Sequence, residues 1–528
     1  MKKIIYIFIL LFSTLTLYSQ KWDATFGTSN HDENEEDIIE CYDHGYIVTG
    51  NHYLSNGGMW VIKTDFNGEL LWEKNIIHNQ YEIIKGAIDQ NSSGQIALAR
   101  CINVGNGAQW PVVIKLDSCG NKQWCRVLID YDFTHGCLND VMIFDNGDVL
   151  CLGWMESDQE IDKIFLYYLD ANGNLVWRES YASKTDHPLV MERLPLHIKK
   201  CNDLFIITGW CYYPHPQNPS VGSKRPFYIG VDSVFDEKWI LPFGVEDFIY
   251  GEARDVIPID ESVFMGVGFK WETGSVPISL YMFFNQDGEE LSYNVIPNEQ
   301  IGPGILKNIA SSLARVNDSL FIVSTWYGDQ QYGNPFGEFI VDTACNIYKK
   351  EIRPNTEGRS NLIKTFDNKY VIGCTYEHPN GNEDIYLYKI NDSLQMDTVY
   401  PGTYNYDSLC PYQIESGVID VTGCLFITDV GETPTPEEYF ASLNTIRIKA
   451  LPNPTNTGSI KLQYSNTEHH SNIELRCFNI HGEEIHSERI YRHQGESLID
   501  VGDWPNGMYL AIVYSENRPV GKTKFIVR

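Results

Sequence analysis

Short runs of apolar residues alternate with polar turns along most of this chain, and the runs recur in groups of four over residues 37–402. The first group contains runs at 45–50, 60–65 and 71–74, and Asn67-Gly68 separates the last two. Runs of this length with a period of two predict β-strands, and Asn-Gly between two of them predicts a hairpin turn. The pattern therefore predicts four strands in each group.

Seven such groups follow one another, and their third runs align at 60–65, 113–117, 166–170, 228–232, 282–285, 339–342 and 386–391. In the first four groups the fourth run carries a tryptophan, at intervals of 52, 53 and 62 residues: Trp72, Trp124, Trp177 and Trp239. Four-stranded repeats of this length predict an all-β fold with a seven-bladed β-propeller over residues 20–403. An open β-solenoid or a series of sandwiches is the alternative.

The N-terminal segment 22–27 matches the pattern of the fourth runs, as at 239–244. It precedes the first complete group, so we expect it to complete the seventh blade and join the two ends of the ring. The weaker run 396–400 competes for the same edge.

Residues 1–19 have the features of a signal peptide. Lys2 and Lys3 precede a mostly apolar run at 4–17, and a cleavage site is predicted before Gln20. That run is too short for a transmembrane helix, and no later run reaches about 18 apolar residues. We therefore expect export without a transmembrane segment.

The formal net charge of −30 argues against binding to nucleic acid through a basic face. No cysteine or histidine spacing predicts a metal site, and no nucleophile or phosphate-binding motif occurs, so neither metal nor cofactor is expected. The chain has 13 cysteines. Cys119 and Cys125 can meet across a predicted hairpin, and Cys410 and Cys424 are predicted to form a disulfide with each other.

The longer connections of a four-stranded meander all lie on one face, where adaptable loops usually carry function. In the fourth to sixth groups these connections are rich in aromatic residues: Trp210, Tyr212, Tyr213, Trp271, Trp326 and Tyr327. Exposed aromatic rings suit sugar stacking or peptide anchoring, which predicts a binding patch there. Alternatively, these rings fill gaps between neighbouring blades.

Residues 404–440 contain several prolines and are predicted to be a linker. A different β pattern occupies residues 441–528, where 10 Lys and Arg nearly balance 9 Asp and Glu. The spacing of strands and turns predicts a small Ig-like β-sandwich that forms a separate domain.

This last domain resembles the type A sorting domain of the type IX secretion system in Bacteroidota. The matching elements are Pro452-Asn453-Pro454, the turn with Gly482, the segment with Gly507 and Tyr509, and the basic run 524–528. The resemblance implies handling by the type IX machinery and a secreted or outer-surface location.

Two functions fit such a protein. We expect a recognition or scaffold module for an extracellular glycan or protein ligand. The alternative is a glycan- or peptide-directed hydrolase or lyase with carboxylates in the propeller mouth. Clustered carboxylates with raised pKa values at the axis would favour the enzyme, and an aromatic mouth would favour binding.

Overall fold

The computed structural model describes residues 20–28, 31–52, 58–79, 82–83, 86–103, 108–129, 135–156, 163–181, 193–215, 218–245, 249–271, 276–329, 335–428, 433–436, 439, 446–456, 458–465, 473–480, 483–491, 494–515 and 518–528. The predicted signal peptide lies outside these residues. The chain divides into two compact units, the larger within residues 1–431 and the smaller containing residues 432–528. No helix in the described residues is long and apolar enough to cross a membrane.

The larger unit is built from seven antiparallel sheets, the blades of a β-propeller. After strand β1 (Asp23–Phe26), blade 1 consists of β2 (Glu35–Glu40), β3 (Tyr46–His52), β4 (Gly58–Thr64) and β5 (Leu70–Ile77). Blade 2 consists of β6 (Glu82–Ile83), β7 (Ala87–Gln90), β8 (Ile96–Asn103), β9 (Gln109–Leu116) and β10 (Lys122–Leu128). Blade 3 consists of β11 (His135–Ile143), β12 (Val149–Glu156), β13 (Lys163–Leu169) and β14 (Leu175–Tyr181).

The remaining four-stranded groups continue the pattern. Blade 4 consists of β15 (Arg193–Cys201), β16 (Leu204–His215), β17 (Asn218–Val231) and β18 (Glu237–Pro242). Blade 5 consists of β19 (Gly251–Pro258), β20 (Val263–Trp271), β21 (Pro277–Asn285) and β22 (Glu290–Ile296), and helix α1 (Asn298–Ile301) follows it. Blade 6 consists of β23 (Ile305–Arg315), β24 (Phe321–Asp329), β25 (Phe336–Val341) and β26 (Ile347–Arg353). Blade 7 contains β27 (Thr356–Lys364), β28 (Tyr370–Glu377) and β29 (Glu383–Ile390).

The sheets form a closed ring. The first strands of neighbouring blades contact each other in chain order, and β2 of blade 1 contacts β27 of blade 7. Each blade buries apolar side chains against the next; Tyr228 of blade 4, for example, packs on Met282 and Phe284 of blade 5. Burying such side chains contributes about 1.5–3 kcal/mol each, which explains why the central strands are apolar on both faces. The predicted all-β propeller is confirmed.

The N-terminal strand completes the ring. Strand β1 pairs antiparallel with β29 and forms the fourth strand of blade 7. Trp22, next to it, is fully buried, and its indole N–H donates to the carbonyl oxygen of Phe66 in blade 1 at 2.6 Å. The competing run 396–400 forms only isolated bridges, at Met396 and Thr398. The expected closure from the N-terminus is therefore present.

Aspartates on the first strands connect consecutive blades. One carboxylate oxygen of Asp37 accepts from the N–H of Ile38 at 2.8 Å, and the other accepts from the N–H of Ile88 in blade 2 at 3.0 Å. Asp140 and Asp255 bridge blade 3 to blade 4 and blade 5 to blade 6 in the same way. These carboxylates satisfy backbone donors that would otherwise be buried without a partner.

The segment that follows blade 7 is not a free linker, contrary to the prediction for 404–440. Within it, β30 (Gly417–Asp420) pairs in parallel with β5, and β31 (Leu425–Ile427) pairs in parallel with β10. The described residues 404–428, which we call the strap, therefore extend the outer edges of blades 1 and 2.

The predicted disulfide between Cys410 and Cys424 is wrong. Cys410 is bonded to Cys119 and Cys424 to Cys125, across sequence separations of 291 and 299 residues. Strand β30 lies between the two strap cysteines along the chain and pairs with blade 1, and each cysteine is bonded to blade 2. A third disulfide, Cys101–Cys137, joins blades 2 and 3.

The smaller unit is a β-sandwich, as predicted. Its strands are β32 (Arg447–Leu451), β33 (Ser459–Ser465), β34 (Ile473–Phe478), β35 (Glu484–Arg489), β36 (Gly495–Asp500), β37 (Gly507–Ser515) and β38 (Arg518–Val527). One sheet has the order β32-β33-β36 and the other β35-β34-β37-β38. Inward-facing residues such as Leu462, Leu475 and Phe525 form a core of their own.

Candidate functional site

The first strands carry β-bulges at equivalent places. In blades 1, 3, 4, 5, 6 and 7, the pairing register between the first and second strands shifts within the first strand. In blades 1, 3, 4, 5 and 6 the extra residue is Glu36, Asn139, Leu196, Arg254 and Ser311, respectively. Because a bulge re-aims a side chain, the repeat supplies a set of variable side chains around the axis on an otherwise regular frame.

Three of these bulge residues line a cavity of about 380 Å³, which we call the mouth cavity. Its polar lining comprises Glu36, Asp37, Arg100, Gln109, Asn139, His197 and Asn361, and Trp154, Leu194 and Leu196 are among its apolar residues. Trp154 lies near the end of a second strand and Gln109 starts a third strand. The cavity therefore opens towards the face of the long connections, where the sequence predicted function to lie.

Polar residues from four blades are connected along the wall of the mouth cavity. The guanidinium of Arg100 donates to the side-chain oxygen of Asn139 at 3.0 Å and to the carbonyl oxygen of Leu138 at 3.3 Å. Another of its nitrogens lies 3.6 Å from a carboxylate oxygen of Glu36. Asn361 of blade 7 donates to the carbonyl oxygen of Glu36 at 2.6 Å. These contacts hold donors and acceptors in fixed positions at the cavity wall.

The floor of the cavity contains titratable groups. Burial, together with the charge of Asp140, raises the pKa of Asp37 to about 7. Nδ1 of His197 lies 3.6 Å from a carboxylate oxygen of Asp140. Burial lowers the pKa of His197, but the hydrogen bond and charge of Asp140 outweigh it and leave that pKa above its ordinary value. In the described part of the chain, no group of three or more acidic, histidine or cysteine side chains is arranged to hold a metal ion.

The predicted aromatic patch is only partly accessible. Tyr327 is completely buried in the core between blades 5 and 6, so the prediction that it contacts a ligand is wrong, and it fills space between blades. The ammonium of Lys224 lies 4.1 Å from the ring centroid of Trp210, and that of Lys307 lies 3.6 Å from the ring centroid of Trp326. One face of each indole is thus covered by a lysine.

The other predicted aromatics have partners in their own blades. Tyr212 meets the ring of Trp210 edge-on at 5.3 Å, and Trp271 meets Phe269 edge-on at 4.8 Å. Tyr213 belongs to β16, but its side chain lies outside the described residues. Ligand binding by these residues remains a prediction.

The mouth residues were not predicted, because the repeat is clearest in the third and fourth strands and most of these residues lie in the first strands. A signal for them exists in the first strands. Residues 36–39, 139–142 and 254–257 share the order of a polar residue, Asp, a β-branched residue and an apolar residue. In the structure the first position of this motif is the bulge residue and the second is the bridging aspartate.

In the β-sandwich, the predicted sorting residues hold the domain together. Between Pro452 and Pro454, the Asn453 side chain accepts from the N–H of Ile526 at 3.1 Å and donates to the carbonyl oxygen of Lys524 at 2.9 Å. The motif is thereby fixed to the last strand.

The second half of the motif anchors the core of the same domain. Gly507 begins β37, and Tyr509 stacks on Phe525 and donates its hydroxyl to the carbonyl oxygen of Pro505 at 2.6 Å. Gly482 lies outside the described residues.

A family model described as a secretion system C-terminal sorting domain matches residues 449–528. These residues are a type IX sorting domain. The chain is therefore cargo of the type IX secretion machinery, with a secreted or outer-surface location. The sorting domain is the part of the chain that the resemblance had indicated, with the predicted motif at its start.

Solved structures with similar folds include three proteins with 10% identity or less. An ulvan lyase from a new family of polysaccharide lyases has 10% identity and a TM-score of 0.44, over 69% of this chain and 95% of its own. A subtype N11 neuraminidase-like protein of A/flat-faced bat/Peru/033/2010 (H18N11) has 10% identity and a TM-score of 0.40, over 72% of this chain and 97% of its own. The β-propeller domain of the Trilobed protease from Pyrococcus furiosus has 8% identity and a TM-score of 0.38, over 70% and 98%.

At TM-scores below 0.5 these likenesses carry no argument about the activity of this chain. No curated protein matches it.

Proposed function

We propose that the propeller is an exported recognition module whose mouth cavity binds a polar unit of an extracellular glycan. The polar chain of Glu36, Arg100 and Asn139 carries this proposal, because it places charged and amide groups from three blades around one cavity. Saccharide hydroxyls both donate and accept hydrogen bonds, and these three side chains include both donors and acceptors. The flanking Trp154 adds an apolar surface for a ring face.

The axial aspartates support binding over catalysis. Both carboxylate oxygens of Asp37 already accept backbone N–H groups, one from its own strand and one from the next blade. Asp140 and Asp255 make the same pair of backbone hydrogen bonds, although neither lines the mouth cavity. The presence of carboxylates at the axis is thus explained by the connection between blades.

Replacing Glu36 by Gln and Arg100 by Met together is expected to weaken glycan binding by at least about tenfold, because hydrogen bonds to charged groups contribute about 1.5–3 kcal/mol each. The ligand is found on a glycan array with the leaderless chain, and the affinity is measured by calorimetry. A variant with Trp210, Trp271 and Trp326 replaced by Ala tests the predicted aromatic patch in parallel. Unchanged affinity of a correctly folded mouth variant would contradict the proposal.

A hydrolase or lyase is the second candidate, and the raised pKa of Asp37 is the observation that favours it. With a pKa of about 7, this carboxyl is protonated below neutral pH and can act as a general acid there. Its activity would fall as the pH rises through 7.

We expect no turnover of the bound glycan at any pH from 5 to 9, because the carboxylate oxygens of Asp37 are engaged in holding blade 2. Release of reducing ends over hours, measured across this pH range, is the test. Product formation that declines above about pH 7 and is absent in Asp37→Asn would favour the enzyme instead.

A further inference from the structure

A contiguous group of aromatic rings lies on the opposite face of the propeller, among the short turns. His44 belongs to the first turn of blade 1, Phe366 to the first turn of blade 7, and Tyr400 and Tyr404 follow the last blade. The rings of His44 and Phe366 stack with centroids 3.7 Å apart, and Tyr400 stacks on Tyr404 at 5.8 Å. Tyr404 meets Phe366 edge-on at 5.8 Å, which joins the two pairs. We call these four residues the aromatic platform.

The platform is exposed in a way that packing between blades does not explain. Phe366 and Tyr400 are 44% and 46% exposed, and the side chain of His44 is 39% exposed. By contrast, Phe66 beneath them is buried and contacts Phe366, Tyr400 and Tyr404 with centroids 5.2–5.7 Å away. The buried ring supplies the packing, and the platform rings are left partly open to solvent. Contiguous exposed apolar groups of this kind mark interaction surfaces.

The platform is also held rigidly. Asn67, in a turn of blade 1, accepts from the N–H of Tyr400 at 2.8 Å and donates to its carbonyl oxygen at 3.0 Å. The hydroxyl of Tyr406 accepts from the N–H of Phe66 at 2.9 Å. The backbone at Tyr400 is thus held in place, and a segment held in this way loses little conformational entropy when a ligand binds.

We propose that the aromatic platform is a second binding site, for the pyranose rings of a neutral glycan. The C–H faces of pyranoses are apolar and stack on the electron-rich faces of aromatic rings. The carboxylate of Glu40 lies at the edge of the platform, where it accepts from the N–H of Phe366 at 3.0 Å, and it repels uronates and sulfated sugars.

A cationic peptide is the other ligand that aromatic rings and carboxylates attract. In this protein, a lysine ammonium already occupies the position of such a cation beneath the platform. The buried ammonium of Lys389 lies 3.5 Å from the ring centroid of Phe66 and 3.0 Å from a carboxylate oxygen of Asp367. The internal cation lowers the attraction for a second one, which favours a neutral ligand.

Calorimetry with the leaderless full chain tests this site, with the neutral hexasaccharides of cellulose, laminarin, xylan and mannan as probes. Trigalacturonate and hexalysine represent acidic sugars and cationic peptides. We expect at least one neutral hexasaccharide to bind, and Phe366→Ala and Tyr400→Ala each to weaken it about tenfold. Tyr348→Ala is the matched control, because Tyr348 is 65% exposed on blade 6 and should leave the affinity unchanged.

Near-ultraviolet circular dichroism and the melting temperature establish that the variants fold. The proposal is overturned if no neutral probe binds, if only trigalacturonate or hexalysine binds, or if binding persists in a folded variant that carries both Phe366→Ala and Tyr400→Ala. This site is independent of the mouth cavity. Binding that is lost in the platform variants and kept in the Glu36→Gln, Arg100→Met variant supports the platform alone, whereas the reverse result supports the mouth cavity alone.

Discussion

Replacing Cys410 and Cys424 by serine is expected to lower the free energy of unfolding of the propeller by about 5 kcal/mol. The disulfides they form close loops of nearly 300 residues, with separations of 291 and 299. The entropy that a disulfide removes from the unfolded chain grows with the loop length. The two bonds lie close together on both segments, so their contributions overlap and the double variant loses less than twice the value of one.

Urea unfolding of the unaltered protein and of the double variant measures this loss of stability. A variant without the Cys101–Cys137 disulfide is the control, since its separation of 36 residues closes a much shorter loop and a smaller loss of about 4 kcal/mol is expected. Limited proteolysis should also cut the strap in the double variant before it cuts the blades. Equal urea midpoints for the double variant and the unaltered protein would contradict the role we assign to the strap.

Trp22→Ala is expected to destabilise the propeller by about 4 kcal/mol. The indole is fully buried, so its loss leaves a large cavity. Its removal also takes away the donor that binds the carbonyl oxygen of Phe66 at 2.6 Å, and that oxygen lies where water cannot replace it. Because Trp22 precedes the strand that completes blade 7, the ring should open first at this joint.

Trp22→Phe separates the two contributions. It keeps most of the buried ring and loses the hydrogen bond, so a loss of only about 1–2 kcal/mol is expected. Hydrogen exchange should show faster exchange in β1 and β29 in the alanine variant than elsewhere. If the two variants were equally stable, cavity formation would not be the main cost.

The parts of the fold that the sequence predicted are those with repeated or local signals. The seven groups of runs predicted seven blades, because each blade repeats the same alternation of apolar and polar positions. The resemblance of segment 22–27 to the fourth runs predicted the closure by β1. The sandwich followed from its own strand spacing.

The parts that the sequence did not predict depend on contacts between distant segments. Cys410 and Cys424 are neighbours along the chain, so local spacing suggested that they pair. Their true partners lie about 300 residues earlier and become near only when the ring has closed. The strap was missed for the same reason, since its short strands gain their hydrogen bonds from blades 1 and 2 rather than from each other.

The mouth cavity was missed for a different reason. The motif shared by the first strands marks a bulge residue such as Glu36 in the sequence, but only the register with the neighbouring strand and the closed ring show that it lines a cavity. The aromatic platform likewise joins turns of blades 1 and 7 that the sequence places far apart. Ring closure creates both sites.

The bonds between the strap and blade 2 also set an order of events during export. A chain that emerges from its N-terminus exposes Cys119 and Cys125 long before Cys410 and Cys424 arrive. Until then the two early thiols, which lie on one hairpin, are each other's nearest partners. Correct pairing therefore requires either that oxidation waits for the whole propeller or that thiol–disulfide exchange undoes the early bond. We therefore expect the maturation of this cargo to depend on the thiol–disulfide chemistry of the compartment through which it passes.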